Sequence, residues 1–146
     1  MAHVRETILL AVKTALDTGP LVKKTFLTPV STLNVDEYPA VVIRDLGDRM
    51  RRHVRLAYEN TMSLELVLFN KELDPSSRVT EIHNLLAEVH AKVSANETWG
   101  GNATGTEMTE QTPDLGDAAE PHSHVRLRLE IEYRVKRDDA TTVKVI

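Results

Sequence analysis

Cysteine is absent from this 146-residue chain. Disulfides, thiolate metal centres and cysteine nucleophiles are therefore excluded, which suits a reducing compartment. Aromatic side chains are nearly as scarce, with one Trp, three Tyr and two Phe, so stacking platforms for bases or sugars are not expected. No apolar run approaches the roughly 20 residues that a helix needs to cross a bilayer. The opening MAHVRETILLAVKTAL has one short apolar run, no small-residue cleavage site and a helical period, so no signal peptide is read and a soluble, cytosolically made protein is expected. A net charge of −4 argues against a dedicated nucleic-acid binder, which would concentrate Lys and Arg to displace counterions from phosphates. Neither Gly100-Gly101 nor Gly105 opens a helix after a strand, so no phosphate loop is present, and no Gly-x-Ser-x-Gly elbow exists. Catalysis finds no support here, and no cofactor is implied.

What is present is pattern. The length is that of one ordinary domain, enough to bury roughly 70% of the surface exposed when unfolded. Val4, Ile8, Ala11, Val12, Ala15 and Leu16 recur at spacings of three and four, predicting a helix over 3–18 that Gly19, as a left-handed cap, and Pro20 end. The stretch VKKTFLTPVSTL is β-like but interrupted by Pro29, as an edge strand or wide turn tolerates. AVVIRD at 40–45 reads as a short buried strand, closed by a DLGD turn at Asp45 to Asp48. Val54, Leu56, Tyr58, Met62, Leu64, Leu66 and Leu68 then alternate along a long strand, with Asn60 marking an expected bulge or bend. A second helix is predicted over about 75–93. Asp74 caps it, Pro75 takes its first position, and Val79, Ile82, Leu86, Val89 and Val93 form the buried face with Leu85 beside them. From Ser94 to Pro121 the composition turns polar, read as mobile loop with a short strand near Gly105 to Thr112.

The last strand, SHVRLRLEIEYRV at 123–135, alternates without a fault between Val125, Leu127, Leu129, Ile131, Tyr133, Val135 and charged residues of both signs. The order α-β-β-β-α-β-β describes an α+β fold, a largely antiparallel twisted sheet with two helices packed on one face. Eleven strand residues span about 37 Å, twice the usual strand. Strands this long are expected to overhang their helices, and an overhang with paired charges and free edges is a place for another subunit to dock.

Glu130 and Glu132 share a strand face with Arg126, Arg128 and Arg134. An acid/base pair is imaginable, but a cross-strand ion-pair surface is the plainer reading. His122 and His124 form an H-x-H pair without a third zinc ligand, and His83 and His90, seven apart, lack the i, i+4 spacing of a helical zinc pair. DLGD recurs at Asp114 to Asp117, and both copies read as glycine-bearing turns, too short for calcium loops. Asn96-Glu97-Thr98 and Asn102-Ala103-Thr104 match a glycosylation acceptor, without any sign of secretion to give it meaning. The basic run Arg44, Arg49, Arg51, Arg52, His53 and Arg55 is the sharpest charge feature, either a solvated hairpin tip or a contact to an acidic partner.

Taken together, the first amphipathic helix, YPAVVIRD, a long strand ending LELVLFN, a helix opened by LDPSSRV, GTEMTEQTPD and a last strand RLRLEIEYRV resemble the tail terminator, or tail completion, proteins of long-tailed bacteriophages over nearly the whole chain. The resemblance implies a non-enzymatic virion protein at the head-proximal end of the tail. It would form a homohexameric ring that caps the tail tube, stops its polymerisation and joins the head-neck connector, with DNA passing through the hole unbound. It further implies that the long strands build the ring wall by pairing between subunits. Charge and length then suggest Arg49, Arg51, Arg52 and Arg55 for a tube-facing or subunit-facing surface, and Arg126, Arg128, Glu130 and Glu132 for the ring wall. Another neck or head-closure ring component is the alternative, followed by a small ligand-binding α+β domain, for which no convergent set of polar residues stands out.

Overall fold

The computed structural model describes residues 3–27, 38–52, 57–71, 74–114, 122–136 and 139–143. Helices α1 (Val4–Asp17) and α2 (Pro75–Ala95) pack on one face of a sheet formed by β1 (Lys24–Phe26), β2 (Ala40–Arg52), β3 (Ala57–Lys71), β4 (Gly105–Asp114), β5 (His122–Lys136) and β6 (Asp139–Val143). The spatial order is β1-β2-β3-β5-β4, with β6 pairing the end of β5. All pairings are antiparallel except that of β1 with β2. The fold is α+β, as the periodicities predict, with β6 as an additional strand. Its sequence, DATTV, lacks the apolar alternation that reveals the others.

The core lies between the helices and the central strands. Ile8, Val12 and Leu16 of α1 and Ile82, Leu85 and Val89 of α2 are buried against Leu64 and Leu66 of β3 and Leu127, Leu129 and Ile131 of β5. His3 starts α1 by accepting the Arg5 amide on Nδ1 at 3.0 Å. Asp74 accepts the Ser76 amide at 3.0 Å and Pro75 follows it at the first turn, the cap expected from the sequence.

Several local readings are corrected. Gly19 is not a left-handed cap: α1 ends on Thr18 in right-handed conformation, and a Cβ on Gly19 would lie 2.5 Å from the Glu88 carboxyl carbon, which approaches to accept the amides of Leu21 and Val22. DLGD at 45–48 is no turn. It is a bulge inside β2, where Gly47 at φ +96° shifts the pairing with β3 and the strand runs on to Arg52. Asn60 carries no bulge, since β3 pairs without interruption through it to both neighbours, and its buried amide sits opposite Tyr133. Val79 is 45% exposed while Arg78 is buried, so α2 is rotated one position from the predicted face at its first turn.

The polar segment after α2 is more structured than its composition indicates. Ser94 and Ala95 finish the helix, and Trp99 turns back at φ +48° and is buried, its Nε1 donating to Thr106 at 2.8 Å. β4 follows. The second DLGD, at Asp114 to Asp117, falls largely outside the described residues, as does the segment around Pro29.

Candidate functional site

With both helices on one face, no described helix covers the other face of the sheet, although Val42 and Val67 are buried on it, and the strands that form it are long: 13 residues in β2 and 15 each in β3 and β5. Residues directly opposite each other in antiparallel strands project to the same side. Arg44 opposes Glu65, Glu65 opposes Arg128 and Arg128 opposes Glu110, so one row crosses β2, β3, β5 and β4 with alternating charge. A row of Gly47, Ser63, Glu130 and Glu107 lies beside it, then one of Arg49, Thr61, Glu132 and Gly105, then Arg51, Glu59 and Arg134. Arg44 binds Glu65 at 2.7 Å, and Glu59 holds Arg51 at 3.5 Å and Arg134 at 3.3 Å.

Five residues singled out by sequence meet on this face. Arg49, Arg128 and Glu130 border one hollow of about 410 Å³, next to Leu46 and Ser63. Arg126 and Arg128 border a second of about 280 Å³ with Glu65, Glu110 and Thr112. Glu132 lies one row from Glu130. Arg126, Arg128 and Glu132 are exposed and Glu130 is half-buried. None of Arg49, Arg126, Arg128, Glu130 and Glu132 forms an ion pair with another described residue. Arg51 belongs to the same face, in the paired body of β2 and not at a hairpin tip. Arg52 ends the same strand, and Arg55, like His53, lies outside the described residues.

A second polar cluster, which the sequence reading missed, forms under the helices. Before the bulge Val41, Ile43 and Asp45 face the helices, because Ile43 opposes Leu66; after it Asp48 does, because it opposes Met62. The bulge thus brings two carboxylates three residues apart to the same side, where Arg5 of α1 meets both. Its Nε reaches Asp48 at 2.8 Å and its Nη2 binds Asp45. Tyr133 donates its hydroxyl to the other oxygen of Asp48. Each group tunes its neighbour: the hydrogen bond from Arg5 holds the Asp45 carboxyl below its usual range, and the same bond raises the guanidinium pKa against the cost of burial. Burial first, and Asp48 second, push the Tyr133 hydroxyl above its usual value. No local signal links Arg5 to residues 40 and 43 positions away, and Tyr133 reads in sequence only as an apolar member of the alternation. A cavity of about 490 Å³ opens beside this cluster, bordered by Arg5, Asp48, Met50, Tyr58 and Tyr133. Met50 is on the helix side of the sheet yet 64% exposed, which marks where the strands run past the start of α1.

The histidines stay apart. His83 binds the Val79 carbonyl within its own helix at 2.6 Å, His90 meets Gln111 of β4 at 3.2 Å, and His124 lies 3.9 Å from Asp114. Among the described residues no three His, Asp or Glu side chains stand close enough to hold a metal ion. Among them, too, no helix is long and apolar enough to cross a membrane. No protein-family model matches the chain, and no curated protein matches it significantly.

Proposed function

We propose that the chain is a tail terminator subunit of a long-tailed bacteriophage, assembling as a homohexameric ring that caps the tail tube, halts its polymerisation and offers its other side to the head-neck connector. The observation that carries this reading is the sheet face that no described helix covers, five strands wide, on which charged side chains of both signs stand in register, among them Arg49, Arg126, Arg128, Glu130 and Glu132, which form no ion pair with another described residue. A monomer gains little from such a surface, since exposed ion pairs contribute ~0–1 kcal/mol each. A neighbour that desolvates it gains specificity and orientation. Closed rings require head-to-tail contacts between different surfaces of identical subunits, and a long, two-signed sheet supplies them. The net charge of −4 suits a hole through which DNA slides without sticking.

The test is the mass of the purified protein by light scattering over a range of concentrations, with negative-stain imaging, alone and with purified tail tubes. Six-subunit rings, free or on tube ends, are the expected result. A chain that stays monomeric in both settings overturns the proposal.

A further inference from the structure

Gly47 leaves a gap in the charged face. It sits in the β2 bulge at φ +96°, where side chains are strained, and a Cβ built on it would meet nothing within 4 Å. Ser63 is its partner on β3, so two small residues stand side by side between rows of long charged ones. They floor the hollow of about 410 Å³. Arg49, two residues further along β2, and Arg128, on β5 in the row on the other side, stand at opposite corners of this floor and border the hollow together. Glu130 closes one side, Asp48 borders it with its charge already engaged by Arg5, and Leu46, 42% exposed, adds an apolar rim. Other arginines of the face have a carboxylate: Arg44 binds Glu65, and Arg51 and Arg134 bind Glu59. Arg49 and Arg128 form no ion pair with another described residue.

We infer that this hollow receives one carboxylate side chain, a glutamate or aspartate carried by a protein partner. The inference deepens the docking role proposed for this face and rests on it for taking the partner to be a protein. A guanidinium presents a planar fork of donors that matches a carboxylate, and two such groups border this hollow. Ser63 adds a hydroxyl on the floor, and Leu46 offers contact to the methylenes of the incoming side chain. The charge balance selects the ligand. Two arginines against Glu130 leave one net positive charge, with Asp48 offset by Arg5, and a single carboxylate neutralises it. A phosphorylated side chain brings about −1.5 to −2 and would stand against Glu130 uncompensated. A nucleic-acid backbone lays a line of negative charge across the face, where it would also meet Glu107, directly opposite Glu130, and Glu132 in the next row. The bulge thus has two products: on the helix side it turns Asp45 and Asp48 to Arg5, and on the other side its glycine opens room between Arg49 and Arg128.

The experiment titrates the full chain with a hexaglutamate peptide, following the arginine Nε–Hε resonances by NMR at about 0.15 M salt, where charges more than about 8 Å apart are largely screened. Arg49→Gln and Arg128→Gln should each weaken binding at least roughly tenfold, the loss of a charge-assisted pair. Ser63→Val, which fills the floor without changing charge and suits a strand, should weaken it too. Lys13→Gln, an equal loss of charge on α1, should leave it within about twofold. Glu130→Gln should tighten it and let inorganic phosphate compete, which phosphate should not do against the wild type. Circular dichroism confirms that each variant is folded. No binding by the wild type, an equal loss in Lys13→Gln, indifference to Ser63→Val, or displacement of the peptide from the wild type by phosphate or by a single-stranded oligothymidylate at equal concentration overturns the carboxylate site. Light scattering on the same samples, alone and with tail tubes, separates this from the ring reading: rings without peptide binding overturn only the site, and peptide binding by a chain that never assembles overturns only the ring.

Discussion

Arg5→Met keeps the aliphatic stem of the side chain and removes the charge that stands between Asp45 and Asp48. A hydrogen bond to a charged partner contributes about 1.5–3 kcal/mol. The two partners differ in exposure: the Asp45 side chain is 37% exposed and that of Asp48 12%. The Asp45 contact is therefore discounted towards the ~0–1 kcal/mol of a surface ion pair, while the Asp48 contact keeps the larger figure. The loss at pH 7 comes to about 2–3 kcal/mol, with Tyr133 still donating to Asp48. Urea titration followed by the fluorescence of Trp99, the single tryptophan and a buried one, reads it directly. For a slope of about 1–3 kcal/mol/M the midpoint should fall by roughly 1 M. The pH dependence has a definite sign. Arg5 lowers the folded-state pKa of Asp45, so the stabilisation is present above the unfolded value of about 3.9 and is lost as pH falls through the lower folded value. The gap between wild type and variant should narrow in acid by the Asp45 share. A gap below about 0.5 kcal/mol at neutral pH, or one that persists undiminished well below pH ~3, would refute the idea that this ion pair ties α1 to the bulge.

Three other outcomes follow from the same geometry. Trp99→Ala should cost about 3–5 kcal/mol, and Trp99→Phe, which keeps an aromatic ring but loses the bond to Thr106 and part of the buried volume, about 1–3 kcal/mol; thermal unfolding of the pair checks whether the turn is part of the core. Gly19→Ala places a methyl group against the Glu88 carboxylate and should cost about 1–2 kcal/mol by displacing the acceptor of two amides, whereas Ala at Gly105, which has open space around it, should be tolerated. Tyr133 has its folded pKa raised, so its contribution is complete below the unfolded value of about 10 and is lost as pH rises through the folded one. Melting temperatures across that alkaline range should fall more steeply for wild type than for Tyr133→Phe, and parallel curves would count against the buried hydroxyl.

How much was legible follows from which interactions are local. The alternation of Val125 through Val135, the cap at Asp74 and Pro75 and the spacing of Ile8, Val12 and Leu16 are read from neighbours along the chain, and all three stand as expected. The charged face was visible in the same alternation, as Arg126, Arg128, Glu130 and Glu132. The misreadings have a common cause. A bulge inside a strand and a tight turn use the same residues, a glycine with an aspartate beside it, so DLGD at 45–48 could not be assigned without knowing that β3 continues alongside. At Gly19 the glycine serves a carboxylate 69 residues further on rather than its own backbone angle.

The sequence by itself therefore determined the two helices and the apolar and charged sides of β3 and β5, because residues two apart on a strand and three or four apart on a helix share a face wherever they are placed. The tertiary structure decided what those faces meet. It set the phase shift at Gly47 that turns Asp45 and Asp48 towards Arg5, the burial of Arg78 and exposure of Val79, the docking of Trp99, and the juxtaposition of Arg49 of β2 with Arg128 and Glu130 of β5. These depend on register and on the rotation of each helix against the sheet, and contacts across space choose both.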